Sequence, residues 1–220
     1  MTDSNEPTIT VAPNGPYLVA GNLALYRRRD VQSELGEPMT WATTSTLDTK
    51  DRYALCRCGQ SGNKPFRDGT HARVGFEADD VATGTYDDRA DVVGGDVNVR
   101  YDQKICVHAG FCGTTVTNVW EQAVKTGDTA ARMQPIAMIE HCPSGALTYQ
   151  IDGLDNELLL PQALAVTNDG PLWVTGGVPI TSSDGTALEV RNRVTLCRCG
   201  DSANKPLCDG SHKESGFTEP

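Results

Sequence analysis

The segments YALCRCGQSGNKPFRDGTHARVGF (residues 53–76) and VTLCRCGDSANKPLCDGSHKESGF (194–217) align without a gap. Such a duplication means that one structural unit occurs twice, and it constrains every later assignment. Upstream, GPYLVAGN (15–22) matches GPLWVTGG (170–177), so each copy reads as a short apolar strand, a spacer and a cysteine-rich loop. The first spacer contains YRRRDVQSELGEPMTW. The second places TSSDGT between GVPI and ALEVRNRVTL, a turn signal that predicts a hairpin. Neither copy sustains a helical period. Each unit is expected to be a small β module whose core is too thin to be robust without metal.

The chain has eight cysteines: Cys56, Cys58, Cys106, Cys112, Cys142, Cys197, Cys199 and Cys208. Each of the four histidines, His71, His108, His141 and His212, lies close in sequence to one of them. An even cysteine count in a secreted chain would suggest disulfides. However, MTDSNEPTITVAPNG shows no basic segment followed by an apolar stretch, as a signal peptide would. No run approaches the roughly 18 apolar residues of a membrane span. A cytoplasmic chain is expected, and a reducing cytosol disfavours structural disulfides. Neighbouring thiols in Cys-x-Cys would also be strained partners for each other. Metal ligation is therefore the expectation. The formal net charge of −10 argues against nucleic acid or an anionic membrane as partner, and it permits steering toward a positively charged protein.

The second repeat offers Cys197, Cys199, Cys208 and His212. Three thiolates and one imidazole could hold a tetrahedral zinc, although zinc sites usually space their cysteines more widely than Cys-x-Cys. The longer pattern of Cys197, Cys199, Ser202, Pro206 and Cys208–His212 resembles the CDGSH iron–sulfur (NEET) family. The resemblance implies a 2Fe–2S cluster, with Cys197 and Cys199 on one iron and Cys208 and His212 on the other. Asp209 is expected to N-cap a short helix carrying His212 in its first turn, where helix dipole and backbone N–H groups favour a negative cluster. One histidine among the cysteines should raise the reduction potential, in the direction seen in Rieske centres.

Between the repeats, EADDVATGTYDDRADVVGGD (77–96) reads as an acidic, solvated linker. VNVRYD (97–102) alternates like a strand, TNVWEQAVKTG suggests a helix, and EHCPSGALTYQID returns to strand. Cys106 and Cys112 stand in a C-x5-C spacing, and Cys142 precedes Pro143. With Ala109 in place of a central cysteine, this resembles a divergent single-cluster ferredoxin domain. The resemblance implies a 3Fe–4S cluster on three cysteines, or a 4Fe–4S cluster with His108 or solvent on the fourth iron. His141 is expected to support the site or face solvent.

The first repeat keeps Cys56, Cys58, Ser61, Pro65, Asp68, Gly69 and His71 but carries Arg67 where the second has Cys208. A guanidinium has no free lone pair and is a poor ligand. Three outcomes stay open: an empty site that persists as a pseudo-symmetric partner, a labile 2Fe–2S cluster, or one metal on two cysteines and a histidine. Arg27–Arg29 reads as solvated surface; Trp41, Trp120 and Trp173 read as packing residues. Lys64 and Lys205 either tune the clusters or face solvent.

The fold class expected is α+β and β-rich. Two small CDGSH modules (13–80 and 166–220) form a pseudo-dimer and flank a ferredoxin-like insert (95–153). NEET proteins are commonly strand-exchanging homodimers, and the resemblance makes GPYLVAGN and GPLWVTGG the candidates for exchange, within one chain or in a homodimer. The function expected is electron transfer to a redox partner protein. Cluster donation to an apo-protein acceptor, redox sensing and a zinc-stabilised interaction module are the alternatives. No nucleophile–base pair or nucleotide-binding loop points to an enzyme.

Overall fold

A computed structural model describes residues 6–95, 97–125 and 127–219. The first repeat contributes β1 (Thr8–Val11), β2 (Tyr17–Ala20), β3 (Leu25–Gln32), β4 (Pro38–Leu47), β5 (Tyr53–Leu55) and the one-turn helix α1 (Thr70–Arg73). The middle segment forms α2 (Tyr86–Arg89), β6 (Asp91–Val93), β7 (Val97–Tyr101), α3 (Val119–Ala123), α4 (Thr129–Glu140), β8 (Leu147–Ile151) and β9 (Leu154–Asp155). The second repeat follows with β10 (Ala163–Thr167), β11 (Leu172–Thr175), β12 (Ile180–Thr181) and β13 (Arg193–Leu196). β1 and β10 begin before the module boundaries expected from sequence.

The two repeats build matching sheets, ordered β5-β2-β1-β12 and β13-β11-β10-β3-β4. The fourth strand of each comes from the other repeat. β12 runs parallel to β1 with Ile180 opposite Ile9, and β3 runs parallel to β10 with Leu25 opposite Leu164. The exchange expected for GPYLVAGN and GPLWVTGG thus falls on the segments after them. β2 and β11, formed by those sequences, are bonded on both sides by strands of their own repeat and have no free edge to offer. The strands pair antiparallel through hairpins in which Asn14 (φ 47°) and Asp169 (φ 44°) hold equivalent left-handed positions, which Asn and Asp tolerate. TSSDGT does make a tight turn, with Ser182 N donating to Thr186 O at 2.8 Å, but the strands leaving it are short.

Alternation in β1 and β2 turns Ile9, Val11, Tyr17 and Val19 inward. They share one core with Leu164, Leu172, Val174 and Leu196 of the second repeat. The insert has its own core, where β7 and β8 place Val97, Val99, Leu147 and Tyr149 against Val119 of α3 and Ile139 of α4. α3 coincides with the helix expected in TNVWEQAVKTG. α4 is a helix the sequence did not announce, because Pro135 interrupts the pattern in its middle.

The described part of the stretch 77–96, residues 77–95, is more ordered than a solvated linker, and Asp96 lies outside the described residues. Thr85 and Asp88 cap α2 reciprocally, and buried Tyr86 donates its hydroxyl to the carbonyls of Arg100 and Ala146 at 2.9 and 3.0 Å. Asp80 accepts from the guanidinium of Arg57 and, at 2.8 Å, from Ser183 N of the second repeat.

The insert is fixed to the second repeat by Arg193 on β13, whose side chain is buried. Its Nη1 donates to Ile139 O and Cys142 O, both at 2.7 Å, its Nη2 donates to Leu147 O at 3.1 Å, and Nε reaches Glu157. Three carbonyls of the insert are thus gathered on one buried cation. Arg193→Met is expected to destabilise the protein by about 3–5 kcal/mol, seen as a lower denaturant midpoint. Arg29→Met, at an exposed position of β3, should leave the midpoint unchanged.

Candidate metal centres

The second repeat's loop begins where β13 ends. Cys197 N donates to Pro206 O and Cys208 N to Thr195 O, both at 2.9 Å, so the loop folds back on its own strand. The polar residues of the motif hold it there. Ser202 Oγ donates to Leu207 O at 2.7 Å, and Asp209 accepts from Ala203 N and Ser211 N at 2.8 and 3.0 Å. Asp209 therefore braces the loop rather than capping a helix: His212 lies in a series of turns. In the first repeat the residue at the head of α1 is Gly69, and Asp68 again accepts from the backbone, at Thr70 N and Gly62 N. Lys64 and Lys205 spend their ammonium groups on the carbonyls of Ser61 and Ser202, and the charge of Lys205 also favours the Cys197 thiolate.

This folding puts the second repeat's ligands in pairs. Cys197 Sγ and Cys199 Sγ are 3.6 Å apart, and Cys208 Sγ is 3.4 Å from His212 Nδ1. Two thiolates on one tetrahedral metal, with bonds of about 2.3 Å, stand about 3.7–3.8 Å apart, and a thiolate with an imidazole nitrogen about 3.5 Å. Each pair therefore has the spacing to flank one metal. Among the described residues, no three Cys, His, Asp or Glu side chains converge on a single ion. The thiol of Cys199 donates to Cys197 and the loop's N–H groups add to it, so the Cys197 pKa is lowered. Burial, followed by the charges of Lys213 and Arg198, lowers His212 to about 4, which keeps the imidazole neutral, as a metal requires.

The arginine inside each Cys-x-Cys is a part of the site that sequence reading passed over. Arg57 and Arg198 are fully buried. Each pairs with a carboxylate that follows its loop, Asp80 or Glu219, and each lies beside an aromatic ring, Phe76 or Phe217. Arg198 also donates to Gly170 O and Thr167 O at 2.8 and 2.9 Å, locking the β10–β11 turn. The signal was present: CRCG is identical in both repeats. Arg27 is likewise more than solvated surface, since it meets Glu219 at 2.7 Å.

In the first repeat Cys56 Sγ and Cys58 Sγ stand 3.7 Å apart, so the first metal's seat is preserved. Cys56, Cys58, Arg67 and His71 line one small cavity of about 10 Å³. Arg67 is exposed where Cys208 is buried, and the second seat has lost its sulfur. The backbone has not changed, because Arg67 N donates to Ala54 O at 3.0 Å as Cys208 N does to Thr195 O.

The insert gathers Cys106, Cys112 and Cys142 around a cavity of about 240 Å³, where one water needs about 10–15 Å³. A 3₁₀ turn, Gln103–Ile105, presents Cys106, α4 delivers Cys142, and burial, followed by the neighbouring thiols, raises the Cys112 pKa. His108, at a left-handed φ of 53°, joins the lining with Nδ1 3.9 Å from Cys106 Sγ. His141 does not join it. Its Nδ1 donates to Ala137 O at 2.6 Å, its Nε2 meets Thr40 Oγ1 at 3.2 Å, and its ring stacks on Phe111. Trp41 donates to His141 O at 2.9 Å and packs on Phe111 and Trp173, a packing role that binds β4 to the insert. All eight cysteines are free.

Two thiol pairs and one thiol–imidazole pair stand at distances that suit a shared metal. The comparisons agree. Residues 14–72 and 169–213 match the family model described as iron-binding zinc finger, CDGSH type, and residues 92–152 match that of the divergent 4Fe-4S mono-cluster. The chain thus carries two CDGSH regions flanking a divergent mono-cluster domain. No curated protein matches it. Among the described residues, no helix is long and apolar enough to cross a membrane.

If the missing sulfur alone disables the first repeat, Arg67→Cys restores a complete ligand set. Iron and acid-labile sulfide should each rise by about two per chain, with added visible absorbance. Unchanged iron would mean that the loop, rather than the ligand, is at fault.

Proposed function

We propose that the protein is an electron carrier. Its C-terminal module holds a 2Fe–2S cluster on Cys197, Cys199, Cys208 and His212. Its middle module holds a 4Fe–4S cluster on Cys106, Cys112 and Cys142, with His108 as the ligand of the fourth iron; a 3Fe–4S cluster on the cysteines alone is the competing form. The observation that carries this reading is the pairing of Cys208 Sγ with His212 Nδ1 at 3.4 Å, beside the Cys197–Cys199 pair at 3.6 Å. Such a centre accepts and returns single electrons without a substrate, and its histidine raises the potential. The partner is a redox protein with a positively charged docking face, which suits a net charge of −10. Eight free thiols suit a reducing compartment such as the cytoplasm.

The first repeat supports a second reading, cluster donation. Cys56 and Cys58 keep one metal seat at 3.7 Å, and the exposed Arg67 leaves the other open. A cluster held there would be labile and suited to transfer to an apo-protein.

Iron, zinc and sulfide per chain on anaerobically purified protein, followed by redox titration, test these readings. About six irons with reversible cycling support the electron carrier with an empty first repeat; about five point to the 3Fe–4S form, and about eight fill the first repeat. Zinc in place of iron, or loss of cluster on one redox cycle, overturns the carrier. His212→Cys is expected to keep the iron content and lower the potential of the C-terminal centre.

A further inference from the structure

We propose that His108 is the bridge through which the middle and C-terminal centres exchange electrons. The inference rests on the electron-carrier reading and adds the route. The imidazole faces two ways. Its Nδ1 edge looks into the insert's cavity beside Cys106, while its opposite edge, Cδ2 and Nε2, packs on Gly210, between Cys208 and His212. A Cβ on Gly210 would stand 2.6 Å from His108 Cδ2 and 3.2 Å from Cys106 O, so only a glycine admits the ring there. The counterpart in the first repeat, Gly69, has almost the same φ (+90° against +94°), yet a Cβ there would meet nothing within 4 Å. The motif's backbone at this glycine is therefore alike in both repeats, and His108 of the insert packs on the complete motif.

Further bonds fix this docking. Lys213, next to His212, donates to His108 O, and Asn204 Nδ2 donates to Lys104 O at 3.1 Å. Coupling between sites travels best through contiguous packed groups. Here the His108 ring edge packs against Gly210, which is two residues from both Cys208 and His212. An aromatic series leaving the middle cavity, Phe111–Trp41–Trp173, runs instead to the guanidinium of Arg28.

The transfer is one electron with no bond made or broken. The iron held by Cys106, Cys112 and Cys142 is oxidised by one electron. An iron held beside Cys208 and His212 would be reduced by one, and the direction would follow the two potentials. A one-electron donor such as dithionite supplies the charge in the test.

The full-length protein, with both clusters present, is partly reduced by rapid mixing, and electron redistribution is followed by optical and EPR spectra. His108→Cys keeps a ligand for the fourth iron and removes the ring edge; His108→Ala removes both. Exchange is expected to slow by about tenfold in His108→Cys, about 1.4 kcal/mol of barrier, with the iron content unchanged. An unchanged rate in His108→Cys overturns the bridge. If both variants lose the middle cluster, the potential of the C-terminal centre reports instead: a shift upholds the contact and an unaltered value overturns it. Absence of either cluster from the unsubstituted protein overturns the electron-carrier reading itself, and the bridge with it.

Discussion

The parallel pairing of β3 with β10, matched by that of β1 with β12, joins the two repeats through their backbones before any side chain is considered. Each sheet is completed by the other repeat, and the core that results contains Leu25 and Leu55 together with Leu164 and Leu196. A module of this size has only a marginal core of its own. The exchange solves that within one chain, and it also brings the metal loops together. A Cβ on Gly59 would lie 2.3 Å from Cys199 O, and one on Gly200 would lie 3.0 Å from Cys58 O, so the two Cys-x-Cys backbones touch across the pseudo-twofold axis. Neither loop could shift without moving the other.

Charge balance follows the same symmetry. Thiolate-bound clusters are anionic, and burying anions is costly without nearby cations. Arg57 and Arg198 lie directly behind the ligands, and Asp80 and Glu219 hold them so that neither competes for the metal. Arg198 is near enough to Cys56 as well as Cys199 for both thiolates to raise its pKa, against a burial effect that still leaves it lowered to about 9. Arg198 thus lies within electrostatic reach of thiols in both repeats.

Much of this was legible in the sequence, because a duplicated Cys-x-Cys loop marks residues that the fold must bring together: Cys197 stands beside Cys199, and Cys208 beside His212. β7, α3 and β8 were visible through alternation and helical composition. What escaped notice depended on distance along the chain. Asp80 looked like a solvated linker residue because its partners, Arg57 and Ser183, lie far from it in sequence. The strands that exchange could not be told from those that do not, since edge position is a property of the assembled sheet. α4 hid behind Pro135, and His108 gave no sign that its second face would meet Gly210.

The substitution at Arg67 takes on meaning in this setting. The first repeat supplies β3 and β4 to the second repeat's sheet, and Trp41 of β4 binds the insert. Its Tyr17, fully buried, donates to Cys197 O at 2.6 Å, where the second repeat's equivalent strand position is Leu172 and offers no hydroxyl to the first loop. None of these contacts needs a sulfur at position 67. A repeat can lose its third ligand and still position the complete centre, and the asymmetry of the support runs the same way as the asymmetry of the ligands. The insert docks on the intact motif, Tyr17 braces the intact motif, and the degenerate repeat retains the surfaces that make both possible.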